Sequence, residues 1–197
     1  MGDGASDLSH RIADHVRRLR AKRGLSLDAL SRKSGVSRSM ISLVERGESS
    51  ATAVVLEKLA TGLGVVLATL FDTPGTRTRS SPVARRADQP RWRDPASGYL
   101  RRNVTPPGMA QPMQIVEVHF PPRARVAFET GARANGVHQQ VWVLEGAIEV
   151  GIGAERHRLR SGDCLAMRLD RRITFHNPTR RRARYAVVIA AEGLPEG

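Results

Sequence analysis

The 197-residue chain has a single cysteine, Cys164. That excludes a framework of intrachain disulfides and makes a reducing compartment the natural setting. Cys164 lies in the apolar stretch Asp163-Cys164-Leu165-Ala166-Met167 and is expected to be a buried packing residue. No apolar run approaches the ~20 residues that a membrane-spanning helix needs. The polar stretch Met1 to His10 has no signal-peptide core. These absences predict a soluble, cytoplasmic protein without a membrane partner. Acidic residues are also few, 19 against 32 Lys and Arg, for a formal net charge of +13. Such a balance selects an anionic partner, nucleic acid first, with a solvated basic surface as the alternative.

What is present falls into three regions. Residues 8–72 carry helical periodicity, residues 73–97 are rich in Pro, Ser, Thr, Arg and Gly with little apolar pattern, and residues 98–191 show short alternating and β-branched runs broken by Gly and Pro. These patterns predict an α-helical domain, a basic flexible linker and an all-β domain. Basic against acidic residues number eleven to eight in 1–72, six to two in 73–98 and fifteen to nine thereafter. The linker is therefore the most densely basic segment. It serves either to track phosphates or simply as a solvated tether.

In the helical region Leu8, Ile12, Val16 and Leu19 form one apolar stripe, capped by Ser6 or Asp7 and ended by Gly24. Ser26 caps a second helix that stops at Gly35, and Ser37 caps a third, Arg38 to about Arg46, closed by Gly47. A fourth spans about Thr52 to Thr61 and a fifth Val66 to Phe71. The tight helix, glycine-containing turn and helix over 26–47 is the informative part. Ala29 is small where helices cross, Gly35 permits a positive φ at the corner, and Val36 plugs the turn. A helix held this way offers its first turns to the major groove. Arg38, Ser39, Ser42 and Leu43 face outward. Arg38 can fork onto guanine and Leu43 can touch a thymine methyl, while Ser26, Ser37 and Arg46 are placed for phosphates. The motifs "RRLRAKRGLSLDALSRKSGVSRSMISLVERGESS" and "VLEKLATGLGVVLATLF" resemble the phage-repressor-like (XRE) helix-turn-helix family, over about His10 to Phe71. The resemblance implies a five-helix DNA-binding domain in which Arg20 pairs with Glu45 beside a phosphate. Ala51 departs from a frequent proline in that pattern, and Val66 from a polar cap.

Seven strands are expected: 114–120, 137–144, 147–152, 155–159, 164–167, 173–176 and 184–191. Many short strands at even spacing predict a barrel or jelly roll. The order "VWVLEGAIEV…RLRSGDCLAMRLDRRITFHNP…ARYAVVIA" resembles the cupin β-barrel. That resemblance would imply a metal held by two closely spaced His, a Glu and a later His, but this sequence does not keep the set, leaving His138 and His176 as scattered imidazoles. No metal and no other cofactor is expected. Glu129, His138, Gln140, Trp142, Met167, Phe175 and His176 are the candidate lining of a small-molecule pocket, with plain packing the alternative for Trp142, Met167 and Phe175. His119 and His157 carry no motif. The cluster Arg180-Arg181-Arg182, with Arg184, forms either an anion site or a solvated turn.

The chain therefore reads as two domains, an all-α five-helix head and an all-β cupin-like barrel. The expected function is sequence-specific binding of double-stranded DNA by a homodimeric, non-enzymatic transcriptional regulator whose barrel senses a small-molecule effector. The alternative is a metal-dependent cupin enzyme with an appended DNA-binding domain.

Overall fold

A computed structural model describes residues 3–71, 81–107, 112–129 and 136–191. Four α-helices come first: α1 (Asp3–Lys22), α2 (Leu27–Ser34), α3 (Arg38–Glu45) and α4 (Ala53–Leu63). The caps lie where the sequence places them for α2 and α3, and Thr52, expected to open the fourth helix, is its cap. The hydroxyls of Ser26, Ser37 and Thr52 accept from the backbone N–H groups of Ala29, Met40 and Val55, satisfying donors that the first turn would leave orphaned. Gly35 closes α2 at φ 68°, a conformation costly for any residue with a Cβ. The start of α1 differs from expectation, because Ser6 and Asp7 lie inside the helix rather than ahead of it. The fifth helix is also not an α-helix. Residues Leu67–Phe71 form a 3₁₀ turn, since Gly64 adopts φ 68° to end α4 and five residues are too few for a stable α-helical turn sequence. The close crossing of α2 and α4 is set by Gly62, where a Cβ would come within 2.8 Å of Ser34 Cβ; Ala29 is only half-buried.

Among the described residues ten strands follow: β1 (Arg91–Arg93), β2 (Leu100–Asn103), β3 (Met113–Phe120), β4 (Arg125–Phe128), β5 (Val137–Glu145), β6 (Ala147–Ile152), β7 (Glu155–Arg160), β8 (Cys164–Arg168), β9 (Ile173–His176) and β10 (Ala183–Ala191). They pair antiparallel as a six-stranded sheet, β1-β2-β3-β10-β5-β8, and a four-stranded sheet, β4-β9-β6-β7. From β3 onward the chain passes repeatedly between the two sheets, a jelly-roll order. The barrel expected from the sequence is thus two separate ladders and not one ladder closed on itself. The strong alternation in β5, with Val137, Gln139, Val141 and Val143 buried and His138, Gln140 and Trp142 exposed, fixes which face looks inward. Val116, Val118, Phe120, Tyr185, Val187 and Ile189 join it from β3 and β10, opposite Ile148, Val150, Ile173 and Phe175.

Residues 91–94, read from the sequence as the end of a flexible linker, are instead built into this structure. β1 pairs with β2, and Asp94, 2% exposed, accepts from the N–H of Ala53 at 2.9 Å and from that of Ser97 at 2.8 Å. Trp92 packs on Phe71 at 5.4 Å, and a run of rings continues through Tyr99, Phe120, Tyr185 and Phe175 to Phe128. Seven of the eight aromatic residues belong to this run, so the head and the sandwich share one buried seam. The part of the expected linker at 73–80 lies outside the described residues.

Arg101 crosses the seam with its guanidinium 4.8 Å over the Phe71 ring. Facing it from α4, Glu57 has its carboxyl pushed up to about 7 by burial, with Arg101 pulling the other way. The native state then holds a proton that the unfolded chain, near 4.5, has released. Stability falls as pH rises from about 4.5 to about 7 and levels off above that. Glu57→Gln should therefore gain on the wild type by about 2 kcal/mol between pH 5 and pH 8 in urea unfolding. The full shift would carry ~3 kcal/mol, reduced here because the residue keeps some exposure. A difference that did not change with pH would show that Glu57 is ionised throughout.

Candidate nucleic-acid interface

The head is organised around one ion pair. Arg20 Nε and Nη2 donate to Glu45 Oε1 and Oε2 at 2.6 and 2.7 Å, and Arg20 Nη1 donates to the Leu25 carbonyl at 2.9 Å. The two side chains are 19% and 7% exposed. This fork ties the end of α1 to the end of α3, and the Leu25 contact ties both to the loop before α2. Of the five N–H groups of the guanidinium, three are engaged and two remain for another oxygen. Arg20 therefore serves first as a clamp.

That clamp, with Ile41 and Val44 buried at 0% and 3%, determines which side of α3 is left outside. Arg38 and Ser39 are exposed, Ser42 and Leu43 half-buried, and Arg46 exposed just past the helix. Arg38 Nε lies 3.6 Å from Asp28 Oδ1 of α2, a loose contact that steadies the side chain without consuming its fork. Arg46 donates to Ser42 Oγ and, at 2.8 Å, to Glu48. The Ser26 and Ser37 hydroxyls accept from the backbone as caps, which leaves their protons able to donate outward; Ser37 Oγ also lies 3.2 Å from Ser39 Oγ. Of the eight residues expected to touch DNA, Ser26, Ser37, Arg38, Ser39 and Arg46 are exposed, Ser42 and Leu43 are half-buried, and Arg20 is held in the clamp.

The candidate pocket residues of the β-domain do not come together. His138, Gln140 and Trp142 lie on the outer face of the six-stranded sheet, and His176 lies on the outer face of the other sheet, 4.0 Å from Glu149. Glu129 is exposed and paired with Arg172 at 3.1 Å. Only Met167 and Phe175 face inward, and both pack in the core. The reason is the period of two: residues chosen by chemistry alone fall on both faces of a strand. Polar groups that do look inward include Gln139, directly across from Met167, and Tyr185, stacked on Phe175 at 5.8 Å; strand parity also places Gln114 of β3 and His157 of β7 on the inner faces. Alternation within β5 was the signal that marked Gln139. Among the described residues no three His, Cys, Asp or Glu side chains gather as a metal-binding group. His138 and His176 do not fit a shared metal, since they belong to opposite outer faces.

Cys164 is exposed beside Trp142, its cross-strand neighbour, and not buried as its apolar surroundings suggest. Around them the outer face carries apolar side chains among Gln140 and His138. Met113, Ile115 and Trp142 are 49%, 38% and 51% exposed, and Ala186, Val188 and Ala190 of the intervening β10 lie between them in register. Among the described residues, no helix is long and apolar enough to cross a membrane.

Comparison with known proteins agrees with this arrangement. The model of the HTH_3 helix-turn-helix family matches residues 16–70. The HTH-type transcriptional regulator SutR of Escherichia coli (strain K12) is 39% identical over 74 residues, 38% of this chain and 42% of SutR, so the match spans less than half of that relative. The crystal structure of an HTH_3 family transcriptional regulator from Vibrio cholerae superposes with a TM-score of 0.76 at 26% identity, over 96% of this chain and 99% of that one. The cupin_2 domain of an XRE family transcriptional regulator from Enterobacter cloacae gives a TM-score of 0.44 at 19% identity, over 48% of this chain and 98% of that one. Residues 16–70 thus match the HTH_3 helix-turn-helix family model, and the two-domain outline of the chain is similar to that of an HTH_3 family transcriptional regulator.

Proposed function

We propose that this protein is a cytoplasmic, sequence-specific DNA-binding transcriptional regulator that acts as a homodimer and senses a small molecule through its cupin-like β-domain. The observation that carries the reading is α3, clamped at its base by Arg20–Glu45 and offering Arg38, Ser39 and Ser42 outward. A helix so presented inserts into the major groove, where Arg38 forks onto guanine and the flanking Ser26, Ser37 and Arg46 meet phosphates. The protein is not an enzyme in this reading. The cupin alternative requires a metal set that the scattered histidines do not supply.

A second copy completes the DNA-binding unit. In an antiparallel sheet with one wet face, the outward residues of a central strand are polar, yet β10 carries Ala186, Val188 and Ala190 there, beside Trp142. Two identical faces of this kind pack about a two-fold axis, which matches half-sites one turn of DNA apart, about 34–36 Å. Trp142→Glu should convert the dimer to monomer in sedimentation at micromolar concentration. Loss of a central aromatic anchor costs about 2 kcal/mol or more. An unchanged dimer would move the interface elsewhere. An effector entering the sandwich would meet Gln139, Met167 and Tyr185.

Selection of bound duplexes from a random pool at physiological salt tests the whole reading. A pseudo-palindromic site is expected. Arg38→Ala should then lose discrimination at one base pair per half-site by about 1–3 kcal/mol, with weaker effects on non-specific affinity. Recovery of no preferred sequence would refute specific recognition by α3.

A further inference from the structure

Most of the excess positive charge of this chain lies outside the head, in the segments after residue 72. The sheet register gathers part of it. On the outer face of the six-stranded sheet, Arg91 of β1 stands opposite Arg102 of β2, and Arg102 opposite Glu117 of β3. In the next row Leu100 stands opposite His119, and His119 opposite Arg184 of β10. Glu117 is 6% exposed, and both its oxygens are taken: Arg102 donates to Oε2 and Arg184 Nη1 to Oε1 at 3.0 Å. Arg102 Nη1 also donates to Gln89 Oε1 at 2.7 Å, and Arg184 Nε lies 3.7 Å from the exposed Glu145.

His119 lies among these side chains. Its Nε2 is 3.8 Å from Glu117, and the side chain is 25% exposed. A carboxylate at that distance would ordinarily favour the imidazolium. Instead burial, followed by the guanidinium groups of Arg182, Arg184, Arg102 and Arg86, holds the imidazole below the usual histidine range. Arg102 is likewise lowered by burial and then by Arg86, Arg91 and Arg184. Five arginines therefore act on this part of the face, where the one buried carboxylate is already used and Glu145 is paired with Arg184. The charge left over is positive, partly desolvated and open on one side through the exposed Arg86 and Arg182. Guanidinium forks match the oxygens of phosphate and sulfate, and a neutral imidazole keeps an N–H to donate.

We propose that the sheet face around His119, with Arg102 and Arg184 beside it and the exposed Arg86 and Arg182 flanking them, binds a multiply charged tetrahedral oxyanion, a phosphate or sulfate group. The group is supplied either by a small anionic effector or by the backbone of bound DNA. The site stands on the β-domain alone and does not require α3 to read sequence.

The test follows the His119 imidazole by NMR in the full chain at constant ionic strength. Inorganic phosphate and sulfate are titrated in one arm and a random-sequence DNA duplex in the other. Saturable displacement of the His119 signals is expected, weakened at least about tenfold in both Arg86→Ala and Arg182→Ala, since each removes a charge-assisted contact. Both side chains are exposed, and the variants should melt with the wild type. Saturation by the free anions identifies a small-molecule source. Saturation by duplex alone identifies DNA phosphate, and each variant should then lower the salt dependence of binding by about one counterion. Absence of saturation in both arms, or saturation undiminished in the two variants, would overturn the proposal.

Discussion

Glu45→Ala should destabilise the head by about 3 kcal/mol and loosen α3 from α1. Removing one partner of a buried ion pair costs roughly 3–5 kcal/mol because the survivor is left uncompensated. Arg20, at 19% exposure, can recover some hydration and places the effect at the lower end. The other contact of Arg20, to the Leu25 carbonyl, remains. Urea unfolding of the variant gives the magnitude, and a loss below about 1 kcal/mol would show that the fork is not the clamp. The paired replacement Arg20→Met with Glu45→Met separates charge from packing. Apolar side chains of similar reach should restore most of the stability, because neither charge then needs a partner. DNA affinity should fall with Glu45→Ala even though Glu45 itself faces no ligand, since the positions of Arg38 and Ser42 depend on how α3 is held.

Asp94→Ala should cost about 3 kcal/mol and uncouple the two domains. Asp94 belongs to the β-domain, yet its Oδ1 accepts from Ala53, the first residue of α4 in the head. Its other oxygen accepts from the backbone and hydroxyl of Ser97, at 2.8 and 2.5 Å. Hydrogen bonds to a charged group contribute about 1.5–3 kcal/mol each, and a buried N–H left without an acceptor adds a penalty. The carboxylate also sits at the positive end of the α4 dipole. The wild type should unfold in one transition through the shared aromatic seam. In the variant the amide of Ala53 should exchange markedly faster, and the head should melt ahead of the sandwich. An unchanged single transition would mean that the ring contacts among Phe71, Trp92 and Tyr99 suffice to join the domains.

Much of the head was legible without coordinates because its signals are local. Ser26, Ser37 and Thr52 each precede a helix that their own hydroxyl caps, and Gly35 follows one that only a left-handed residue could close so tightly. The long strands β3, β5 and β10 were legible too, through alternation or sustained apolar character. The short strands β1, β2 and β4 were not. Their cores read Arg-Trp-Arg, Leu-Arg-Arg-Asn and Arg-Val-Ala-Phe, and arginine masks a strand pattern until a neighbour supplies the pairing. Trp142 and Cys164 look like core residues by type, but lie outside because strand parity, not hydrophobicity, decides the face.

The amino-acid sequence by itself determined the class of each domain, the caps of α2 and α3, the outward residues of α3 and the excess of positive charge, because each depends on spacing within a few residues or on composition. Tertiary structure alone decided that Asp94 caps a helix 41 residues away, that Arg101 lies over Phe71, and that His119 stands opposite Arg184 beside the Arg102–Glu117 pair. It also decided that two sheets form in place of one closed ladder. These arrangements join distant parts of the chain, and their energies come from burial and register that no local pattern encodes.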